Sequence, residues 1–406
     1  MPTKYGRSPW IERFPKSRVP AYPRQRGALK TDVVVVGGGL TGCATAYAFA
    51  AAGVKVMLLE ANQVGRGGTA FEAGWISEDP GVTFVDLEKA LGVRGARRAF
   101  QAWRRAALDF AALLRRLDVK CALQAAPAIT VTRNSEQAAL MKREQKVRRS
   151  AGLDAPLLAG RAVAAETGID ATAGLRAKDG ATLDPYRACL GLAAAAQARG
   201  ALLFERSPAQ KITFGRKAAE VITAGGRIKT ARVVVATAKP TSLFKSLARH
   251  FWFRSAYRAL TEPVPGRIRQ QLGRRLAVAR DAVDPPHVVR WVEDQRLLVT
   301  GADGATPPVR QRDRVIVQRT GQLMYELSTL YPDISGLQPD FGWSTDYART
   351  AEGLPYIGPH RNFPWHLFAF GDSSHSVTGA FLASRVLLRH YFEEMDPADE
   401  VFAFTR

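Results

Sequence analysis

The chain has 406 residues, enough for two or three domain-sized units, and its 46% hydrophobic and 23% charged residues are typical of a globular protein. Its 58 Lys and Arg against 37 Asp and Glu give a formal net charge of +21, which favours contact with nucleic acid, anionic membranes or acidic substrates. Because the basic residues are spread along the chain rather than gathered in a block, we favour a solvated arginine-rich surface.

The cysteines and the N-terminal segment bear on the compartment. Cys43, Cys121 and Cys189 have neither paired spacing nor a C-x-x-C, so they indicate neither a disulfide framework nor a zinc site, and a reducing compartment fits. The first thirty residues lack an apolar signal core with a small-residue cleavage site. We therefore expect an N-terminal arm over residues 1–27 and a cytoplasmic protein.

The first strongly patterned stretch, residues 33–60, reads VVVVGGGLTGCATAYAFAAAGVKVMLLE. Its uncharged part, residues 33–54, follows basic residues and has the length of a membrane anchor. The internal order favours another interpretation, because four valines predict a buried parallel strand, three glycines interrupt it, and a second strand-like run follows Gly53. The stretch therefore predicts a strand, a turn, a helix and a strand.

The glycines of this stretch match a nucleotide-binding turn. Gly37, Gly39 and Gly42 form G-x-G-x-x-G, in which missing side chains let the backbone approach a pyrophosphate at the helix N-terminus. Glu60 follows Gly42 by eighteen residues, at the end of the second strand, where a carboxylate is placed to accept hydrogen bonds from a ribose. Together these features predict a dinucleotide-binding βαβ unit.

The remaining chain alternates between α/β and antiparallel character. A glycine-rich connection, VGRGGTAFEAGWIS, is followed by an amphipathic helix whose apolar face includes Trp103 and Phe110. Residues 181–236 predict a helix, a hairpin around Gly225 and a buried strand. Residues 240–340 read as antiparallel strands, and the C-terminus reads as a strand, a small-residue loop and a helix.

These elements predict two interleaved domains in a mixed α/β fold. We expect a discontinuous Rossmann-like domain that binds a dinucleotide and a substrate domain built on an antiparallel sheet. The predicted ranges are 28–80, 180–240 and 340–406 for the first domain, and 81–179 and 241–339 for the second.

In this order the motifs resemble the FAD-dependent amine and amino acid oxidoreductases related to D-amino acid oxidase, sarcosine oxidase and glycine oxidase. Besides the first stretch, the similar segments are GRGGTAFEAGWIS, TLDPYRACLGLAAAAQARGALLFE, VVVATA, LLVTGAD, TAEGLPYIGP and FAFGDSSHSVTGAFLA. The resemblance covers nearly the whole chain. It implies an FAD-dependent oxidoreductase that binds FAD in extended form.

The resemblance also assigns residues to the cofactor. The ADP end of FAD would lie at the first βαβ unit, and the isoalloxazine between GGTAFEAGW and the C-terminal loop, where a helix N-terminus would favour the reduced, anionic flavin. The implied cofactor-binding residues are Gly37, Gly39, Leu40, Thr41, Gly42, Glu60, Gly68, Thr69, Ala209, Gly371, Ser374, His375, Val377 and Thr378.

Several positions depart from the family pattern. Ser373, Ser374 and Ser376 stand where glycines are common, which makes any positive φ costlier. Tyr347 occupies the place where relatives that act on α-amino acids often have an arginine for the substrate carboxylate, with Arg349 nearby. Phe71 replaces a histidine that is linked to the flavin in some relatives, so the resemblance implies non-covalent FAD.

The implied reaction is hydride transfer from the carbon beside a neutral amine to flavin N5, which gives an imine that water hydrolyses. The candidate catalytic residues are His375 beside the flavin, and Tyr347 and Arg349 for the substrate. The other histidines have no metal-ligand spacing, and we assign no metal.

Other functions stay open at this point. A nicotinamide dehydrogenase would use the same glycine turn, although it would not need the C-terminal loop. A flavoprotein that acts on modified RNA would suit the charge, and a flavin-binding protein with little catalysis would suit the serine-substituted loop. For the leading function we expect a small amine or amino acid as substrate, oxygen or a quinone-linked chain as electron acceptor, no specific nucleic acid and no transmembrane segment, with peripheral membrane contact left open.

Overall fold

The structure is a computed structural model that describes residues 2–215, 218–284, 286–372 and 376–406. Its strands are β1 (Lys4–Tyr5), β2 (Gly27–Val36), β3 (Val56–Leu59), β4 (Trp75–Ile76), β5 (Gln124–Ala125), β6 (Ala128–Thr132), β7 (Leu157–Ala159), β8 (Ala173–Ala177), β9 (Ala181–Thr182), β10 (Leu202–Phe204), β11 (Lys211–Phe214), β12 (Ala219–Thr223), β13 (Gly226–Ala238), β14 (Trp252–Thr261), β15 (Val278–Asp281), β16 (Val288–Val292), β17 (Arg296–Ala305), β18 (Pro339–Arg349), β19 (Tyr356–His360) and β20 (Phe363–Phe370). Its helices are α1 (Pro9–Glu12), α2 (Leu40–Ala51), α3 (Phe84–Arg116), α4 (Ser135–Ser150), α5 (Gly160–Thr167), α6 (Pro185–Ala198), α7 (Gly266–Gln271), α8 (Arg312–Leu330) and α9 (Thr378–Phe392).

The first sheet contains the predicted βαβ unit. Strands β10, β3, β2, β13 and β20 run parallel in that order, while β12 and β11 extend the sheet as antiparallel strands and β19 pairs with β20. The four valines that end β2 are buried, and α2 packs between α6 and α9 on one face of the sheet. The predicted order of strand, turn, helix and strand is confirmed in β2, α2 and β3.

The second sheet has nine strands in the order β1, β18, β14, β17, β16, β15, β6, β8 and β7. All neighbouring pairs are antiparallel except β1 with β18 and β15 with β6. Helix α8 packs against β14, β17 and β18. The predicted mixed α/β fold, in which a Rossmann-like part is interleaved with a largely antiparallel sheet, is therefore confirmed.

The division of the chain between the two sheets differs in detail from the predicted ranges. All of strand β18 except its first residue falls within the predicted range 340–406, but the strand pairs with β14 in the nine-stranded sheet. Strand β1 of the N-terminal arm joins that sheet as well. A small third sheet of β4, β9 and β5 lies at the junction. Strand β18 mixes buried and half-buried residues without regular alternation, so its local pattern does not specify its partner strand, which depends on tertiary pairing. We keep the two-domain division as a proposal with β18 on the substrate side.

The uncharged run in residues 33–54 is divided between β2 and α2 and does not form one continuous helix. Within the described ranges, no helix is both long enough and apolar enough to cross a bilayer.

A buried charge network joins α3, α4 and the loop after β4. Arg148 donates from Nε to Glu144 Oε1 at 2.7 Å and from Nη1 to Asp79 Oδ2 at 3.1 Å, and its guanidinium lies 4.5 Å from the Phe100 ring centre. Glu144 also accepts the backbone N–H of Phe84 at 2.6 Å, the first residue of α3. The carboxylate thus satisfies a helix N-terminus and a buried cation together.

His366 on β20 is buried in an aromatic environment. Its ring stacks on Phe368 with centroids 5.4 Å apart and meets the edges of Phe244 and Phe363. Neither ring nitrogen has a hydrogen-bond partner among the described residues, and burial lowers the pKa of His366 to about 4. The imidazole is therefore neutral in the folded protein.

We expect His366 to make the protein less stable in mild acid. Because the folded pKa lies below the unfolded value of about 6.5, the unfolded chain binds the proton first, and stability falls as pH drops from about 6.5 to about 4, by up to about 3 kcal/mol. His366→Phe, which cannot bind a proton, should flatten this part of the profile in urea titrations between pH 7.5 and pH 4. Identical slopes for the variant and the parent would contradict the assignment.

Candidate cofactor and active site

A cavity of about 460 Å³ opens where the carboxyl ends of three parallel strands meet the nine-stranded sheet. The ends of β2, β3 and β13 form one wall, as expected for a ligand site in an open α/β sheet. Strands β14 and β18 contribute the facing wall through Arg258 and residues 345–348. The cavity therefore joins a nucleotide-binding edge to the second sheet.

The glycine turn brings backbone close to the cavity. Gly37 has φ +111°, and a Cβ at this position would lie 2.5 Å from the Ala236 carbonyl oxygen of the neighbouring strand. A Cβ on Gly42 would lie 1.8 Å from the Gly37 carbonyl oxygen. Gly37 lines the cavity, whereas Gly42 does not, so Gly42 serves to pack the first turn of α2 against the strand end.

The N-terminus of α2 lies at the cavity wall. Gly39 is the N-cap and has no side chain to accept the first N–H groups. The Leu40 N–H instead donates to Thr69 Oγ1 at 2.8 Å, and Gly39, Leu40, Thr41 and Thr69 all line the cavity. Since the first helical N–H groups have no partner within the helix, this end is suited to an anion such as a pyrophosphate.

Glu60 follows β3 and is held by backbone donors on both sides. Its Oε2 accepts from the Gly38 N–H at 2.7 Å, and its Oε1 accepts from the Asn62 N–H at 2.8 Å. An ionised carboxylate has about four acceptor sites, so capacity is left for the hydroxyl groups of a ribose. The position and the chemistry of Glu60 fit the adenosine end of a dinucleotide.

The cavity brings together many, but not all, of the predicted site residues. Those that line it are Gly37, Gly39, Leu40, Thr41, Glu60, Gly68, Thr69, Ala209, Val377 and Tyr347. Gly42, Gly371, Thr378 and Arg349 do not line it. Ser374 and His375 lie outside the described residues.

Two of the predicted C-terminal cofactor-binding residues, Val377 and Thr378, form hydrogen bonds within the protein. The Val377 N–H donates to the Trp75 carbonyl oxygen at 2.8 Å, and the Thr378 hydroxyl donates to the Ser77 carbonyl oxygen at 2.8 Å. These bonds tie the start of α9 to β4 and the residue that follows it. Gly371 has φ +87°, a conformation that favours glycine, and its Cβ position faces the ring of Phe251.

The two candidate substrate residues differ in position. The Tyr347 hydroxyl donates to Asp303 Oδ2 at 2.5 Å, and burial followed by the negative charge of Asp303 raises the pKa of Tyr347. Tyr347 is therefore a neutral phenol at the cavity wall, with its O–H donated to Asp303. Arg349 instead forms an ion pair with Asp284, with Nη2 to Oδ2 at 2.6 Å.

Charged residues that the sequence did not single out also line the cavity. They are Glu72, Arg258, Asp346 and Asp372. Asp372 lies against α9, where a Cβ on Gly379 would be 1.9 Å from its Oδ2. Glu72 was within reach of sequence reasoning, because it is the one acidic residue in GGTAFEAGW, whereas Arg258 shows no signal beyond a cation in an apolar strand.

The described residues offer no metal site, because no group of three or more His, Cys, Asp or Glu side chains among them is placed to hold an ion. The backbone cradle, the α2 N-terminus and the Glu60 carboxylate fit the phosphates and the ribose of a dinucleotide. The fold and this cavity define a dinucleotide-binding protein whose second sheet covers part of the nucleotide site.

The chain belongs to the DAO family, described as FAD dependent oxidoreductase, whose model matches residues 32–389. It is thus an FAD-dependent oxidoreductase, and the nicotinamide alternative is not supported. Gamma-glutamylputrescine oxidoreductase of Escherichia coli (strain K12) is 25% identical over 381 residues, which cover 91% of this chain and 86% of that protein. Glycine oxidase of Bacillus licheniformis is 23% identical, covering 88% and 93% of the two chains.

Solved structures share the fold. L-proline dehydrogenase from P. horikoshii superposes with a TM-score of 0.75 at 17% identity and covers 93% of this chain and 97% of its own. Glycine oxidase from Geobacillus kaustophilus superposes with a TM-score of 0.74 at 19% identity and covers 93% and 99%.

Proposed function

We propose that the protein oxidises the C–N bond of an amine or amino acid to an imine, which water then hydrolyses to a carbonyl compound and a smaller amine. The observation that supports this proposal is one cavity that joins a nucleotide-binding edge to polar side chains of a second sheet. FAD, when bound, supplies a hydride acceptor at flavin N5. Oxygen or a quinone-linked chain would then reoxidise the reduced FAD.

In this proposal the chain's own residues hold FAD, exclude water and orient the substrate. The glycine turn, the α2 N-terminus and Glu60 hold the nucleotide half of FAD. The Phe71–Glu72 segment is bonded to the second sheet, because the Phe71 carbonyl accepts from Trp343 Nε1 at 2.9 Å and from the Thr345 hydroxyl at 3.2 Å. That segment, with β14 and β18, would exclude water and orient the substrate.

Of the three candidate catalytic residues, Tyr347 remains our candidate for a substrate contact, because Asp303 positions its neutral hydroxyl. Arg349 is already paired with Asp284. A contact between Arg349 and the substrate would require that ion pair to break. A contribution of His375 stays a proposal from the family resemblance.

We propose that FAD is bound without a covalent link and that the protein works in a reducing, cytoplasmic compartment. None of the described residues that line the cavity is a cysteine or a histidine, the side chains expected for such a link. The Cys43 and Cys189 sulfur atoms lie 3.6 Å apart, buried and unlinked.

The test is the visible absorbance spectrum of the purified protein, before and after heat denaturation, followed by anaerobic addition of single amines and amino acids. We expect a flavin spectrum, release of the chromophore on denaturation and bleaching by at least one compound. A protein that remains colourless after incubation with FAD, or bound FAD that no amine or amino acid reduces, would overturn the proposed function.

A further inference from the structure

Arg258 is a buried cation on β14, the third strand of the nine-stranded sheet. It lies on β14, between Thr300 of β17 and Trp343 of β18, and its relative exposure is 1%. Arg258 nevertheless lines the cavity. Burying a guanidinium costs free energy unless its donors find acceptors, so its environment indicates what the site is built to hold.

The protein satisfies only one side of this guanidinium. Nη2 donates to Glu72 Oε2 at 2.7 Å. Nε and Nη1 have no hydrogen-bond partner in residues 2–215, 218–284, 286–372 and 376–406. Because Nε has one N–H and Nη1 has two, three donors are left for an acceptor from outside the chain.

Other arginines near this wall are bonded differently. Arg290, also buried, donates to the carbonyl oxygens of Ala73 at 2.7 Å and Leu183 at 3.0 Å, which is a structural arrangement. Arg349 is paired with Asp284 and does not line the cavity. Arg258 therefore combines cavity lining, deep burial and unused donors.

The position of Arg258 favours the substrate over the cofactor as the source of the acceptor. The groups that fit the nucleotide, from the glycine turn to Glu60, belong to the first sheet and its loops, whereas Arg258 projects from the second sheet. A guanidinium matches the geometry of carboxylate and phosphate groups, and the carboxylate is the one that an amino acid substrate carries. Glu72 holds the guanidinium in place through Nη2.

We propose that Arg258 binds the carboxylate of the substrate and that Glu72 is its positioning residue, so that the protein prefers amino acids to amines without a carboxylate. This inference rests on the proposed function and names its substrate class. It assigns the carboxylate contact to β14 rather than to Tyr347 or Arg349 of β18.

The test uses the FAD-loaded protein and measures the perturbation of the visible flavin spectrum by propionate, with propionamide as the neutral analogue. We expect saturable binding of propionate and binding of propionamide that is weaker by about 100-fold, because the amide lacks the charge that the guanidinium pairs with. Arg258→Met should weaken propionate binding by about 100-fold and Arg258→Lys by about 10-fold, with FAD retained.

Two further variants separate recognition from folding. Arg258→Met combined with Glu72→Gln removes both charges, so that no carboxylate is left buried without its partner. Arg296→Met is the control, because Arg296 lies on the same sheet, bonds to Asp340 and the Thr261 carbonyl, and does not line the cavity. It should leave propionate affinity unchanged.

The outcomes distinguish this inference from the proposed function. Propionate affinity within about threefold of the parent in the folded double variant, or equal affinity for propionate and propionamide, would overturn the inference. Loss of FAD rather than of propionate from folded Arg258 variants would assign the arginine to the cofactor and would also overturn it. Reduction of FAD by simple amines as readily as by amino acids would leave the proposed function standing without the inference. Arg258-dependent propionate binding in a protein whose FAD no amine or amino acid reduces would support a carboxylate site at Arg258, but it would reject the proposed function and, with it, the preference for amino acid substrates.

Discussion

Replacing Gly42 with alanine is expected to weaken FAD binding by at least about 100-fold, or about 2.7 kcal/mol. The added Cβ would lie 1.8 Å from the Gly37 carbonyl oxygen and 2.9 Å from its carbonyl carbon. Both atoms are backbone, so no side-chain rotation relieves the overlap, and α2 must move away from the turn. Its first N–H groups, which we assign to the pyrophosphate, would move with it. The measurement is equilibrium dialysis of FAD with the apoprotein.

The matched control is Gly321→Ala in α8, where an added Cβ meets no atom within 4 Å. This substitution should leave FAD affinity unchanged and should raise stability by about 0.5–1 kcal/mol, because alanine is the better helix former. Far-ultraviolet circular dichroism of Gly42→Ala shows whether the fold is retained. A folded Gly42→Ala variant that binds FAD like the parent would contradict the assigned packing role.

Replacing Arg148 with methionine is expected to destabilise the protein by about 3–5 kcal/mol. The substitution leaves the carboxylates of Asp79 and Glu144 buried without their shared cation. The loss reaches the site as well, because Asp79 belongs to the loop whose Ser77 is bonded to the Thr378 hydroxyl at the start of α9. Urea denaturation at pH 7.5 gives the free energy of unfolding, and FAD affinity should fall in parallel.

A combined variant separates a charge effect from a packing effect. Removing the carboxylates as well, by combining Arg148→Met with Asp79→Asn and Glu144→Gln, should restore part of the lost stability at pH 7.5, because no buried charge is then left without its partner. Arg149→Met, at the neighbouring exposed position of α4, should change stability by less than about 0.5 kcal/mol. A combined variant that is no more stable than Arg148→Met would point to lost packing on Phe100.

The nucleotide half of the site was predictable because its determinants are local. The four valines, the glycine spacing and Glu60 all lie within residues 33–60, and the strand, turn and helix follow from hydrophobic pattern and backbone freedom. The same stretch also argues against the alternative of a membrane anchor, because its glycines interrupt the uncharged run. Thr69 shows the limit, since its hydroxyl caps Leu40 only because the chain returns to the helix N-terminus.

The substrate half was decided by contacts between distant residues. Arg258 meets Glu72 across 186 positions of sequence, Tyr347 meets Asp303 across 44, and Arg349 is drawn to Asp284 across 65. Such pairs depend on the register of β14, β17 and β18, and a shift of one residue would turn every side chain to the other face. Local sequence patterns specified the βαβ unit and the class of ligand that it binds. Tertiary pairing alone decided which charged side chains face the cavity and which are neutralised elsewhere, because it brings strands that are distant in sequence to one wall of the cavity.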